Sequence, residues 1–185
     1  MNPEVIIVGG SYAGIAAGLI LARARRAVTV IDAGLPRNRA ASHSHGVLGL
    51  DGISGAELLK TARQQLLDYP SVRWIHAEAA HATASPDGVE VRTADGQVLA
   101  ARKLLLASGI SDQLPDLPGL AERWGSTVLH CPYCHGYEVG GGAIGVLGGY
   151  PMSAGKAPLF ADWGNVTFFS QAGEISEEEL ALIHI

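Results

Sequence analysis

The sequence predicts an α/β chain built from two parallel-sheet units, the second of them incomplete. Three observations carry this prediction. An order of strand, glycine turn, helix and strand occupies residues 4–32. The same order recurs over residues 143–169, and a Pro-rich connection at 114–119 separates the two. A short buried strand followed by a glycine turn and an apolar helix is the pattern of a βαβ crossover, which brings strands together in parallel.

In the first unit, Glu4-Val5-Ile6-Ile7-Val8 is β-branched and suited to a strand buried on both faces. It runs into Gly9-Gly10-Ser11-Tyr12-Ala13-Gly14 and then a helix carrying Ile15, Leu19, Ile20 and Leu21. Val28-Thr29-Val30-Ile31 is the next strand, and Asp32 ends it. This is the grammar of a dinucleotide-binding unit. Gly9 permits the tight turn and Gly14 permits close packing of helix on strand, while the helix N-terminus faces a pyrophosphate. Asp32 is placed to accept hydrogen bonds from ribose hydroxyls. Ser11 replaces the usual middle glycine; a small shift of the turn accommodates its Cβ, and its hydroxyl can donate to phosphate. The basic residues of Ala22-Arg23-Ala24-Arg25-Arg26 close the helix, where cations complement its dipole.

Residues 33–53 show little periodicity, and a loop this long inside a domain is usually functional. Arg37 and Arg39 can reach phosphates, and His43 and His45, followed by Gly46, can line a ring system. Each of these residues reads equally well as an ordinary solvated loop residue. Residues 54–69 form a helix with Leu58, Leu59, Ala62, Leu66 and Leu67 on one side, ended by Pro70. Turns at Pro86-Asp87-Gly88 and Ala94-Asp95-Gly96 then predict an antiparallel meander over 72–101, with His76 and His81 structural or exposed. Lys103-Leu104-Leu105-Leu106-Ala107-Ser108-Gly109 is a further buried strand that ends in small residues. The Pro-rich connection places a domain boundary between 117 and 118, dividing the chain into 1–117 and 118–185.

The second unit repeats the grammar with differences. Ala143-Ile144-Gly145-Val146-Leu147 is its strand, and Gly148-Gly149-Tyr150-Pro151-Met152-Ser153 its turn. A helix follows over 154–163 and a second strand over 165–169. Ser153 stands where the first unit has Gly14, and Ser170 and Gln171 stand where it has an acid. Without that acid nothing opposes a 2′-phosphate, so NADPH is permitted as well as NADH.

Composition narrows the class. Apolar residues make up 48% of the chain, enough for a core. Net charge is −5 with no long basic cluster, which argues against nucleic acid as a partner. The apolar stretches are broken by glycines, so no membrane span is expected, and the N-terminus lacks a signal-peptide pattern. Two cysteines do not make a secreted disulfide framework, and the expectation is a soluble cytoplasmic protein.

Those two cysteines lie in His130-Cys131-Pro132-Tyr133-Cys134-His135-Gly136-Tyr137-Glu138. Four chemistries fit a CxxC of this kind. A redox dithiol needs two thiols able to close a small ring and a nearby imidazole to hold the exchange proton. Zinc lacks a second CxxC or HxxxH to complete four ligands, and no metal is expected. Haem attachment through CxxCH requires export. Two inert core cysteines remain the plain alternative. The flanking nucleotide-type units favour the redox dithiol.

With two dinucleotide units and a CxxC at the start of the second, the chain resembles the thioredoxin-reductase-like family of FAD- and NAD(P)-dependent pyridine nucleotide-disulfide oxidoreductases. The resemblance covers residues 5–171. It implies a Rossmann-like FAD-binding domain with three-layer ββα organisation, followed by the start of a Rossmann-like NAD(P)-binding domain. It implies FAD at Gly9, Gly10, Ser11, Ala13, Gly14 and Asp32, with the loop bearing Arg37, Arg39, His45 and Gly46 approaching the flavin. Ala107-Ser108-Gly109 looks like the family's ATG element, and Gly148, Gly149, Pro151 and Ser153 like its NADPH turn. Cys131 and Cys134 look like the redox pair, with His135 and His130 as proton carriers. Thioredoxin reductases carry Asp after the second cysteine; His135 makes CPYCHGYE more similar to the branch of gliotoxin-type dithiol oxidases. The implied substrate is a disulfide or dithiol, in a protein or small molecule, and the family is generally homodimeric. The family's returning C-terminal FAD segment is not found, so the chain is expected to be C-terminally truncated. Three readings stay open: a reductase, a dithiol oxidase using oxygen, or an inactive nucleotide-binding fragment.

Overall fold

Alternation along short apolar strands sets the layers of the first unit. The structure, a computed structural model, describes residues 3–149 and 153–170. Strand β1 (Val5–Val8), helix α1 (Tyr12–Arg23) and strand β2 (Val28–Asp32) form the first crossover. Helix α2 (Gly55–Leu67) leads to β3 (Val72–His76); β4 (Ala79–Ser85), β5 (Gly88–Thr93) and β6 (Val98–Ala101) follow, then β7 (Lys103–Leu106). One sheet has the order β3-β2-β1-β7, and a second, of three strands, the order β4-β5-β6. The first is parallel throughout and the second antiparallel.

Successive strand residues point to opposite faces. Ile7 and Val30 pack with Ile15, Ala22 and Leu66 on the helical side. Ile6 and Ile31 pack with Val91, Leu99 and Ala101 on the meander side. The parallel sheet is therefore the middle of three layers, the ββα organisation implied by the family resemblance. Each fully buried Ile contributes roughly 1.5–3 kcal/mol of transfer free energy, so the layering is driven from both faces. At the start of helix α2 the Ser54 hydroxyl accepts from the Glu57 N–H at 3.1 Å, and the acid follows the cap at the third position, as in a capping box.

One expectation is corrected. Residues 72–76 do not open the antiparallel meander; they form β3 and pair in parallel with β2, from Val28↔Val72 to Asp32↔His76. A β-branched and aromatic run before a turn reads the same whether its partner is the next strand or a distant one. Here α2 returns the chain alongside β2, and the meander proper begins at β4. The long loop is also less irregular than expected: Arg37–Ala40 forms a 3-10 turn, and Ser44 pairs with Ile53 as an isolated bridge.

The chain divides into two compact units, Met1–Ala121 and Glu122–Ile185. Short helix α3 (Leu120–Arg123) spans that division, with Leu120 buried. The second unit holds α4 (Pro132–His135), β8 (Ala143–Leu147), α5 (Ser153–Phe160) and β9 (Asn165–Phe169). Strands β8 and β9 pair in parallel from Ala143↔Asn165 to Leu147↔Phe169. Among the described residues of this unit, Val146, Ala154 and Ala157 are the buried apolar side chains. Helix α5 stops at Phe160, short of the expected residue 163. Pro151, Gln171 and residues 176–184, whose sequence carries the expectation of a helix, lie outside the described residues. Among the described residues no helix is long and apolar enough to cross a membrane.

Candidate functional site

Strand register gathers the first site. Val8 is level with Ile31 of β2 and with Leu106 of β7. The glycine turn, Asp32 and the 107–109 segment therefore emerge at one end of the sheet, on both sides of β1. In open parallel sheets this end, where connections leave in opposite directions, is where ligands bind.

The glycines of the turn are required sterically. Gly9 has φ +101°, and a Cβ there would lie 2.2 Å from the Ala107 carbonyl oxygen. A Cβ on Gly14 would lie 1.8 Å from the Gly9 carbonyl oxygen, and one on Gly10 would lie 2.3 Å from Trp74 Cη2. The Gly10 N–H donates to Asp32 Oδ1 at 2.9 Å, which fixes the carboxylate beside the turn. Ser11 is the N-cap of α1 in an extended conformation and makes no side-chain cap hydrogen bond. The turn therefore accepts the serine in place of glycine, and Ala13 follows it exposed in the first turn of α1.

Beside this turn lies a cavity of about 510 Å³, lined among others by Gly10, Ser11, Asp32, Lys60, Arg63 and Trp74. That size suits a small-molecule or cofactor site. The Arg63 guanidinium stands 4.3 Å from the Trp74 ring centroid. Trp74 Nε1 is buried without a hydrogen-bond partner among the described residues. Buried N–H groups are ordinarily satisfied, so an unused donor, two cations and a glycine cradle fit an anionic nucleotide with an acceptor-bearing base. Sequence reasoning passed over Trp74, because only the parallel pairing of β3 brings it against Gly10.

The loop after β2 is pinned by side chains. Arg37 donates from Nε to Asp112 Oδ2 at 2.9 Å and from its terminal nitrogen to Oδ1 at 2.5 Å. Its guanidinium is thus engaged with a carboxylate from the segment after β7. Arg39 donates to the Pro36 carbonyl at 3.2 Å, and Asn38 donates to the Tyr12 hydroxyl at 3.0 Å. His43 Nδ1 lies 2.9 Å from the Ser42 hydroxyl. Asp51 joins the two residues singled out further on: its Oδ1 accepts from the Gly46 N–H at 2.7 Å, and its Oδ2 lies 3.5 Å from His45 Nδ1. The Gly46 N–H, and then His45, hold the Asp51 carboxyl below the usual carboxylate range. Asp51 braces the loop at 45–46, a contact that the sequence showed only as part of an Asp-Gly turn.

A depressed carboxyl stabilises the folded loop above the ordinary Asp range, and that contribution is lost as pH falls through the lowered value. Protection of the Gly46 amide is expected to persist from neutral pH down through the ordinary carboxylate range, then collapse as Asp51 takes up its proton. Asp51→Ala removes the acceptor and with it the dependence, and leaves Gly46 poorly protected at every pH. Amide hydrogen exchange at Gly46 measures both, and equal protection in the variant at neutral pH would sink this role.

Ala107, Ser108 and Gly109 follow β7 directly. The Ala107 N–H donates to the Val8 carbonyl at 2.7 Å, and Gly109 adopts φ +70°. This places Ala107 against Gly9, so the expected small-residue element abuts the glycine turn.

In the second unit the dithiol stands on a single helical turn. Pro132 occupies the first turn of α4, where its missing N–H costs nothing. Cys131 precedes the turn and Cys134 lies within it. Their Sγ atoms are 3.1 Å apart, with Cys131 half-buried and Cys134 exposed. His135 ends the turn, its Nδ1 buried without a partner among the described residues. His130 is exposed, with its ring centroid 5.9 Å from that of Trp124. Among the described residues no group of three or more His, Cys, Asp or Glu side chains is arranged to hold a metal ion.

The second glycine turn follows β8. The Gly148 N–H donates to the Phe169 carbonyl at 2.7 Å, and a Cβ there would lie 2.8 Å from that oxygen. Gly149 adopts φ +86°, and Ser153 begins α5. The close approach of β8 to the end of β9 thus requires glycine at 148.

The family pattern of the pyridine nucleotide-disulphide oxidoreductases matches residues 3–171. Thioredoxin reductase tcpT of Claviceps purpurea is 40% identical over 152 residues, covering 80% of this chain and 47% of that protein. Thioredoxin reductase aclD of Aspergillus oryzae is 36% identical, over 83% of this chain and 50% of its own length. Among solved structures, an oxidoreductase from Agrobacterium tumefaciens is 46% identical, with a TM-score of 0.94, covering 99% of this chain and 62% of that one. HlmI is 37% identical with the same TM-score of 0.94, covering 98% and 58%. The chain spans about half the length of the curated relatives it matches. With its family pattern running almost from end to end, the chain belongs to the pyridine nucleotide-disulphide oxidoreductase family and is thioredoxin-reductase-like within it.

Proposed function

We propose that the protein is an FAD-dependent thiol-disulfide oxidoreductase in which electrons pass between NAD(P)H, FAD and the Cys131–Cys134 pair and on to a disulfide substrate. The observation that carries this reading is the 3.1 Å separation of the two Sγ atoms on an accessible helical turn, in a chain of this family. When bound, the flavin supplies two-electron chemistry between a nicotinamide and a dithiol. The protein's own part is to hold and to exchange. The turn of Gly9, Gly10, Ser11 and Gly14, with Asp32 and the 107–109 segment, would hold FAD. Gly148, Gly149 and Ser153 would hold the nicotinamide nucleotide.

In the dithiol form, a thiolate of the pair attacks the substrate disulfide and forms a mixed disulfide. The other cysteine then displaces the substrate, leaving the Cys131–Cys134 disulfide and a substrate dithiol. His135, adjacent to Cys134, would hold the proton that each exchange step moves, as imidazole does near neutral pH. His135 in place of an acid also favours a second reading, the reverse flow from a dithiol substrate to oxygen.

The test is the visible spectrum of the purified protein with FAD added, before and after anaerobic dithiothreitol. The expected result is a bound flavin spectrum that bleaches with the dithiol. A protein that takes up no flavin, or whose flavin stays oxidised, would overturn the reading. Peroxide formation from a dithiol without NADPH selects the oxidase direction; NADPH-dependent reduction of a disulfide selects the reductase.

A further inference from the structure

We infer that Trp163 is a positioning residue for the dithiol, clamping the single turn that carries Cys134 at the spacing from which Cys131 and Cys134 close. The inference rests on the redox reading of that pair. Helix α4 has four residues, and its N-cap, Cys131, makes no side-chain cap hydrogen bond. One isolated turn fixes several dihedrals for one hydrogen bond and does not persist alone. Its support comes from elsewhere.

Gly136 caps the turn, donating to the Pro132 carbonyl at 2.6 Å. A Cβ on Gly136 would lie 2.5 Å from the Pro132 carbonyl oxygen, 2.5 Å from Trp163 Cδ1 and 2.6 Å from its Cγ. The indole is therefore pressed against the backbone that closes the turn. Tyr133, inside the turn, meets the same indole edge to face, with centroids 5.1 Å apart at 84°, the geometry that aromatic quadrupoles favour. Trp163 is itself held at the end of the α5 segment: its N–H donates to the Phe160 carbonyl at 3.0 Å, and its carbonyl accepts from Gly141 at 3.2 Å. One residue thus ties α4 and the glycine-rich segment after it to the connection between α5 and β9.

A disulfide has its sulfurs about 2.05 Å apart, so the pair must approach by roughly 1 Å to close. Loosening the turn lowers the effective concentration of each thiol for the other. The readout is the equilibrium of the dithiol with oxidised glutathione. In it the Cys131–Cys134 bond forms as the glutathione disulfide breaks. Two electrons pass to glutathione, and both protons end on the two glutathione thiols. Trp163→Ala is expected to lower this equilibrium constant at least tenfold, a rise of about 30 mV in potential. Trp163→Phe, which keeps a ring against Gly136 and Tyr133, restores most of it. Gly136→Ala, at a backbone angle any residue accepts, sets a Cβ against both the indole and the Pro132 carbonyl oxygen and shifts the constant the same way.

A folded Trp163→Ala variant with a constant within twofold of the unaltered protein would overturn the inference. If that variant does not fold, Trp163→Leu decides, and an unchanged constant there overturns it equally. Failure of the unaltered protein to form the Cys131–Cys134 disulfide across the glutathione range overturns the redox reading, and this inference with it.

Discussion

Substitution of either Cys131 or Cys134 by serine is expected to lower disulfide exchange by on the order of 10³-fold or more, as loss of a covalent nucleophile does. A serine hydroxyl stays protonated at neutral pH and forms no mixed disulfide. The two sulfurs are 3.1 Å apart and each has the other as its partner in ring closure, so neither variant retains a two-electron couple. Loss of both cysteines should cost little more than loss of one, because the pair acts as a unit. The measurement is NADPH-dependent reduction of a chromogenic aromatic disulfide, together with the flavin spectrum. On the proposed reading, activity falls while the flavin spectrum stays, since the glycine turn of the first unit holds neither cysteine. A serine variant that keeps exchange within tenfold of the unaltered protein would remove the dithiol from the reaction.

Gly14→Ala is the second large effect, and two principles predict opposite signs for it. Helix propensity favours alanine over glycine by about 1 kcal/mol in a helix interior. Packing opposes it: the new Cβ would lie 1.8 Å from the Gly9 carbonyl oxygen, and overpacking of this kind costs about 1–3 kcal/mol, occasionally more. The obstacle is backbone, not the far end of a flexible side chain. Sterics therefore win. The expected outcome is a net loss of about 1 kcal/mol or more in urea unfolding, accompanied, on the proposed reading, by weakened FAD uptake as α1 is driven off β1. Gly18→Ala on the same helix is the control, since its Cβ would meet side chains and not backbone: Leu66 at 3.0 and 3.2 Å and Ile7 Cδ1 at 3.6 Å. Leu66 is buried in the core, but a contact of 3.0 Å needs far less give than one of 1.8 Å against backbone, so this variant should lose less. If Gly14→Ala proves as stable as the unaltered protein, the close contact of helix and strand is not what the glycine serves.

The parts of the fold that depend on nearest neighbours were legible in the residues. The glycine turn after β1, the strands entering both turns, α2 and the meander turns at 86–88 and 94–96 all follow from spacing and turn chemistry over a few positions. So did the CxxC. The structure adds that the two thiols stand 3.1 Å apart on one turn. The partner of β3 was not legible, because a strand's sequence records that it pairs but not with which strand.

The same limit hid Trp74, Asp51, Asp112 and Trp163. Each is an ordinary residue in its own segment and acquires a role only from what the fold places opposite. Asp112 engages Arg37 from 75 residues away, and Trp163 reaches the dithiol turn from beyond α5. By itself the sequence determined the local backbone: where the chain must turn, where glycine is needed and where two thiols can close. Only the tertiary structure decided which side chains face the turn, the loop and the dithiol. Those contacts are set by the packing of distant elements on a common core, and no short-range rule encodes it.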